Sequence, residues 1–239
     1  MSIYRESGIV LRTMRLGEAD NIVTLVTDGR GKVRAVAKGV RKTKSRFGGR
    51  LEPLCHVALQ LYEGRSLDTI TQVETLEQFR GVREDLDRLA RATTMLEAVD
   101  ALVQEGHEDR RLYQMLLGAL RTLEATPSPL VVPAFFWKLL AHVGFRPLLD
   151  QCATCGATEA TDELVAFDLD EGGVLCRACA RGTRITPEAL SLLRRILGGD
   201  LVAVLGEPVT AAGHEVEHLA TRALEHHLER RMRSVGILD

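Results

Sequence analysis

The first eighty residues alternate between apolar and polar positions in short runs, as β-strands do when one face is buried. Five such runs are separated by short turn-forming or polar stretches, and they cover residues 2–14, 21–27, 32–38, 55–62 and 66–76. The third is the clearest, because Val33, Ala35 and Ala37 share one face, and the other face carries Lys32, Arg34, Val36 and Lys38. Five short strands in so little chain predict a closed barrel, with the OB-fold as the leading candidate and an SH3-like barrel as the alternative.

After residue 80 the apolar spacing changes to the three-to-four-residue repeat of amphipathic helices. It predicts helices over residues 85–103, 110–123, 131–143, 187–198 and about 213–234. Thr186 and Pro187 mark the fourth start, since Thr caps a first turn and Pro fits its first position. The expected fold is therefore α+β, with a five-stranded OB-fold at residues 1–80 and a mainly α-helical domain at residues 81–239.

Four cysteines lie within the helical half as two C-x₂-C pairs twenty residues apart: Cys152, Cys155, Cys176 and Cys179. This spacing is typical of a Cys₄ zinc site. Four thiolates would fill a tetrahedral ion and leave no position for water, so we expect one structural Zn²⁺ per chain in a zinc-finger-like module at about residues 149–181. Two disulfides or four free thiols are the alternatives. Cys55 lies in an apolar run and is predicted to pack in the core.

The distribution of charge points to a binding surface. The formal charge is −2, but residues 29–51 contain nine Lys and Arg and no acid, which leaves −11 for the rest. Such a local excess of cations predicts polyanion binding, against the alternative of a solvated loop. The predicted nucleic-acid contacts are Arg34, Lys38, Arg41, Lys42, Lys44, Arg46 and Arg50.

Two further features near these charges have open interpretations. Phe47 is the aromatic residue of the basic run, and it either stacks on a base or packs beneath the loop. Near the carboxyl end, Arg230, Arg231 and Arg233 either extend a DNA path or act as cations at a helix terminus.

Signatures of several other protein classes are absent from the sequence. It contains no P-loop and no G-x-S-x-G motif. No apolar run is long enough to span a membrane, and the first residues lack the apolar centre of a signal peptide. We therefore expect a non-enzymatic protein of the cytoplasm with no membrane partner.

The stretches KGVRKTKSRFGGRLEPL and FFWKLLAHVGFRPLLDQCATCG resemble the bacterial RecO family, as do the opening residues and the second C-x₂-C pair. The resemblance covers nearly the whole chain. It implies a nucleoid-associated DNA repair and recombination mediator, with an OB-fold before a helical domain that holds a zinc module. It also implies binding of single- and double-stranded DNA, strand annealing without ATP, and work with RecR and single-stranded-DNA-binding protein in loading RecA, with RecA and RecF contacted indirectly.

Two other functions stay open at this point. A zinc-stapled adaptor of repair complexes would contact DNA only incidentally. A nuclease would need a carboxylate cluster beside the basic run, and residues 29–51 provide none.

Overall fold

The computed structural model describes residues 2–126 and 128–228. The chain forms two compact units, whose boundary in the sequence lies between Ala125 and Thr126. The sequence had suggested a boundary at residues 80 and 81. The compact units differ from that division because the helices before Ala125 belong with the barrel rather than with the helices that follow.

The first unit begins with a closed barrel that has the strand order β1-β2-β3-β5-β4. Its strands are β1 (Ile3–Leu16), β2 (Asp20–Thr27), β3 (Gly31–Ala37), β4 (His56–Tyr62) and β5 (Asp68–Glu77). Strands β3 and β5 pair in parallel, and the other neighbours pair antiparallel. The OB-fold prediction is confirmed, with each strand within a few residues of its predicted position.

The barrel core is filled by the inward residues of alternating strand positions together with side chains of the β3–β4 connection. Val23, Leu25 and Ala35 point inward, and Phe47 and Cys55 close the core from the connection. Phe47 is only 1% exposed. Of its two interpretations, packing beneath the loop is therefore confirmed, and so is the core position of Cys55.

Three helices complete the first unit: α1 (Arg80–Arg83), α2 (Leu86–Leu102) and α3 (Arg110–Ala125). Asp85 caps α2, because its carboxylate accepts a hydrogen bond of 3.1 Å from the Arg88 backbone N–H. Helices α2 and α3 agree with the predicted ranges. Helix α1 was not predicted, since a single turn shows no apolar period.

The second unit combines helices with a small sheet ordered β7-β6-β8. Its elements are α4 (Val131–His142), β6 (Leu164–Asp168), β7 (Gly173–Cys176), β8 (Thr183–Arg184), α5 (Pro187–Gly198), α6 (Leu201–Gly206) and α7 (Ala211–Leu228). Trp137 of α4 is buried and lies edge-on to Phe167 of β6, with ring centroids 5.7 Å apart. The sheet is thus anchored in the helical core.

The start of α5 confirms its predicted cap, since the Thr186 hydroxyl accepts a hydrogen bond from the Ala189 N–H. Helix α6 was not predicted. The expected end of α7 at residue 234 lies outside the described residues, as do Arg230, Arg231 and Arg233. No helix in the described ranges is long and apolar enough to cross a membrane.

Candidate nucleic-acid interface and metal centre

The basic loop, residues 38–50, leaves the end of β3 and is fixed to the barrel at several points. The Gly39 N–H donates to Asp20 Oδ1 at 2.7 Å, and the Arg41 N–H donates to the Ala19 carbonyl at 3.0 Å. These bonds join the loop to the β1–β2 hairpin tip, while buried Phe47 joins it to the core. The loop therefore presents its cations from a defined backbone.

Six predicted contacts project from this loop into solvent: Lys38, Arg41, Lys42, Lys44, Arg46 and Arg50. None of the six forms an ion pair with a carboxylate among the described residues. Their local bonds are to neutral groups, as when Arg41 Nη1 donates to the Gly17 carbonyl at 3.2 Å. Arg46 lies over the Phe47 ring, 4.8 Å from its centroid. Their positive charges thus remain available to an external anion.

Three other cations of the same sequence window differ, because the fold pairs them with acids. Lys32 Nζ lies 2.8 Å from Asp100 Oδ1. Arg34 Nη1 lies 3.5 Å from Glu105 Oε1. Arg30 lies over the Tyr4 ring and 3.8 Å from a Glu63 oxygen. Arg34 is therefore the one predicted contact whose charge already has an internal partner.

One further cation was missed by sequence reasoning. Arg15 is exposed on β1, two residues before Gly17, whose carbonyl binds Arg41. No sequence signal pointed to Arg15, because it lies outside the basic run and is flanked by the apolar residues Met14 and Leu16. Strand pairing brings it to the hairpin that supports the basic loop.

The structure also brings the four cysteines of the second unit together. Their sulfur atoms all lie within 4.8 Å of one another, and Cys155 Sγ is 3.7 Å from Cys176 Sγ. Four sulfurs around zinc at about 2.3 Å stand about 3.8 Å apart, so this spacing fits a tetrahedral metal site. None of the four forms a disulfide in the structure, so the disulfide alternative is wrong.

Local geometry explains why each C-x₂-C pair forms half of the site. Gly156 follows the first pair at a φ of 75°, and its N–H donates back to the Cys152 carbonyl at 2.9 Å. The β6–β7 hairpin carries Cys176 at its end, and a 3₁₀ turn over Arg177–Cys179 places Cys179 beside it. Each pair is thus curled by a tight turn.

The electrostatics of this group favour a bound cation. Burial raises the pKa of Cys152, but backbone N–H groups of Cys176, Cys155 and Thr154 outweigh burial and bring it to about 6. Hydrogen bonds with Cys155 and Cys176 raise the pKa of Cys179 to about 12. Four crowded sulfurs therefore resist full ionisation by themselves, whereas a divalent metal would stabilise all four thiolates.

The donor set resembles structural rather than catalytic metal sites. In the part of the chain that the structure describes, this is the one group of His, Cys, Asp or Glu side chains placed to hold a metal, and all four members are cysteines. Catalytic zinc sites keep three protein ligands and an open position. A metal bound by these four cysteines would have no open position.

Comparison with known proteins finds a family match for both the amino-terminal and the carboxy-terminal part of the chain. A family model described as "Recombination protein O N terminal" matches residues 1–79, and one described as "Recombination protein O C terminal" matches residues 83–235. The chain belongs to the RecO family. Proteins named DNA repair protein RecO are similar over nearly their whole length: 44% identical in a Nocardioides species and 41% in Thermobifida fusca, each with at least 99% of both chains covered.

A relative of the same name from Streptomyces coelicolor is 42% identical over the full length of both chains. The resemblance read from the sequence is thus confirmed. The two RecO models meet around α1, between residues 79 and 83, whereas the compact units divide after Ala125. In this RecO family member, α2 and α3 therefore match the carboxy-terminal model although they belong to the compact unit of the barrel.

Proposed function

We propose that this protein binds single- and double-stranded DNA through its basic loop and anneals complementary strands without ATP. The observation that carries the proposal is the set of six exposed loop cations that have no acidic partner among the described residues. Each can neutralise a phosphate and release a counterion. Membership of a family whose relatives are named for DNA repair supports DNA as the polyanion.

Annealing by such a surface needs positioning and charge neutralisation, but no bond-making step. Two DNA strands repel each other through their phosphates, and the loop lowers that repulsion by binding both backbones. Base pairing then supplies the free energy. Lys38 and Arg41 lie where the loop is fixed to the barrel, so their backbone has little conformational freedom to lose on binding.

The partners follow from the family rather than from a surface of this chain. We propose that the protein works with RecR and single-stranded-DNA-binding protein and helps to load RecA, with RecA and RecF contacted indirectly. DNA as the substrate favours the cytoplasm, at the nucleoid, as the site of action. The −11 charge outside residues 29–51 keeps the DNA contact local and leaves acidic surface for proteins.

We further propose that Cys152, Cys155, Cys176 and Cys179 hold one structural Zn²⁺. All four ligands would be thiolates, the donors that a tetrahedral zinc site prefers. The ion would cross-link the two C-x₂-C turns, and it would have no open coordination position for a reaction. The residues themselves orient the site through the backbone N–H groups directed at Cys152.

The decisive experiment compares two double charge reversals that change the net charge equally. Lys38→Glu with Arg41→Glu alters the loop, whereas Arg111→Glu with Arg184→Glu alters exposed arginines elsewhere. Binding is measured across a salt titration and annealing with and without ATP. The loop variant should bind more weakly, and its log–log salt slope on duplex DNA should fall by about 0.9 for each phosphate that it no longer neutralises.

Equal losses in the two double variants would show general electrostatic attraction and contradict the loop as the site. Wild-type binding that disappears at physiological salt, while partner binding persists, would favour the adaptor function. An ATP requirement would contradict the proposed mechanism.

A further inference from the structure

A row of apolar side chains crosses the outer face of the barrel near the points where the basic loop is attached. Backbone pairing places Met14 of β1 opposite Ile22 of β2, and Ile22 opposite Val36 of β3. The adjacent pair Val23 and Ala35 belongs to the barrel core. Since side chains alternate along a strand, Ile22 and Val36 face outward.

Solvent reaches the β1 end of this row. Met14 is 46% exposed, and Leu16, two positions further on the same face, is 39% exposed. Scattered apolar side chains on a surface need no explanation, but these two share one face of β1, and Ile22 joins Met14 to the half-buried Val36 across β2. We name these four side chains the aliphatic row: Met14, Leu16, Ile22 and Val36. Ile22 is buried, so Met14 and Leu16 carry the exposed surface of the row.

Cations border this row where the loop begins. Lys38 follows Val36 at the next outward position beyond β3, and it is exposed. The Arg41 guanidinium bonds to the carbonyl of Gly17, one residue after Leu16. At the opposite side of the row Arg34 lies across from Thr24. An apolar strip with cations at its borders complements a strand that offers both bases and phosphates.

The occupant that fits is an unpaired strand rather than a duplex. In a duplex the base faces are stacked on each other, so only a single strand can lay them on a protein surface. The loop aromatic cannot serve this purpose, because Phe47 is buried in the barrel core. Met14 offers a flexible, polarisable thioether that adapts to different bases.

We propose that the aliphatic row packs against unpaired bases while the basic loop holds the phosphates of the same strand. This inference rests on the proposed DNA binding and adds a preference for single-stranded over duplex DNA. It assigns to Met14 and Leu16 the contact with bases, which the cations of the loop do not provide.

The test uses the full chain with Met14→Ser and Leu16→Ser. The matched control is Ile3→Ser with Leu86→Ser, which removes two exposed apolar side chains elsewhere in the same unit, Leu86 being 79% exposed. Three probes are compared by fluorescence anisotropy: a thymine oligonucleotide, an abasic strand of equal length and charge, and a duplex. Circular dichroism checks that each variant is folded.

The wild type should bind the thymine strand more tightly than the abasic one, and Met14→Ser with Leu16→Ser should weaken thymine binding by about fivefold or more. Binding of the abasic strand and the duplex should change less than about twofold, and the control should behave as wild type. Equal weakening on all three probes, or no weakening on any, would overturn the inference. So would loss of binding to a protein partner with DNA binding intact.

Failure of this inference is distinguishable from failure of the proposed function. A wild type that binds all three probes equally well refutes the aliphatic row alone. A wild type that binds none of them refutes DNA binding itself.

Discussion

Arg34 and Glu105 form an ion pair between the barrel and the connection that joins α2 to α3, with Nη1 and Oε1 3.5 Å apart. The pair is incomplete, because Arg34 Nε is buried without a hydrogen-bond partner among the described residues. Glu105 is held in place by its neighbour, whose N–H (Gly106) donates to the Lys32 carbonyl at 3.2 Å. An acid thus lies beside the predicted DNA contact that adjoins the aliphatic row.

Glu105 should therefore compete with phosphate for Arg34. Glu105→Gln should tighten DNA binding by about two- to fivefold at low salt, the size of one surface ion pair. Glu108→Gln is the matched control, since it makes the same charge change at an exposed acid three residues away. In an Arg34→Ala background the gain should vanish. A gain that persists there, or an equal gain in the control, would show a general charge effect.

Asp100 should be important for stability, because it neutralises a buried lysine. Its carboxylate pairs with Lys32 at 2.8 Å and with Arg12 at 2.5 Å, and Lys32 is buried. Asp100→Asn should lower the free energy of unfolding by about 3 kcal/mol, as expected when a buried charge loses its partner. Asp87→Asn, which breaks the exposed pair with Arg91 on the same helix, should cost about 0.5 kcal/mol or less. Urea unfolding measures both, and equal costs would contradict the role of burial.

His56 should make the first unit sensitive to acid. Its Nδ1 lies 3.0 Å from Glu77 Oε1 and its Nε2 lies 2.7 Å from the Tyr113 hydroxyl. Because a carboxylate only accepts, Nδ1 donates to Glu77 and Nε2 accepts from Tyr113, an arrangement that suits neutral imidazole. Burial lowers the pKa of His56, although the hydrogen bond and charge of Glu77 oppose this, and nearby Arg121 lowers it further.

A proton on His56 therefore favours the unfolded chain, whose imidazole titrates near about 6.5. This contribution to stability is present above that pH and is lost as pH falls through it toward the lower folded value. Between about pH 7.5 and about pH 5.5 the melting temperature of His56→Asn should fall less than that of wild type, because the amide keeps a donor to Glu77 without titrating. Substitution of exposed His218 by Asn should leave the wild-type dependence, and an unchanged dependence in His56→Asn would contradict the assignment.

The cysteine group should bind one zinc ion and stabilise the second unit. Cys152→Ser with Cys155→Ser should abolish bound zinc and lower the melting temperature by about 5 °C or more, the effect of losing roughly 1 kcal/mol in a unit of this size. Cys55→Ala, outside the group, should keep the metal. Metal content measured by atomic emission decides the point, and unchanged zinc in the double serine variant would refute the site.

Much of this architecture could be predicted, because its determinants are local. The alternation along β3 and the Thr186–Pro187 start of α5 depend on neighbours in the chain, and both were predicted to within a residue. The C-x₂-C spacing predicted the cysteine group for the same reason, since each pair is held by its own tight turn. Helices α1 and α6 were not predicted, because four and six residues are too few to show the apolar period of a helix.

No local sequence pattern could show which cations of residues 29–51 have an acidic partner and which do not. Lys38 and Arg34 occupy equivalent outward positions four residues apart, yet only Arg34 meets Glu105, an acid seventy-one residues further on. Phe47 posed the same problem, because nothing near it in the chain shows whether it faces solvent or the barrel core. The aliphatic row likewise depends on strand register. Secondary structure and metal spacing follow from interactions between chain neighbours, whereas the available charges and apolar surface follow from barrel closure, which brings distant residues into contact.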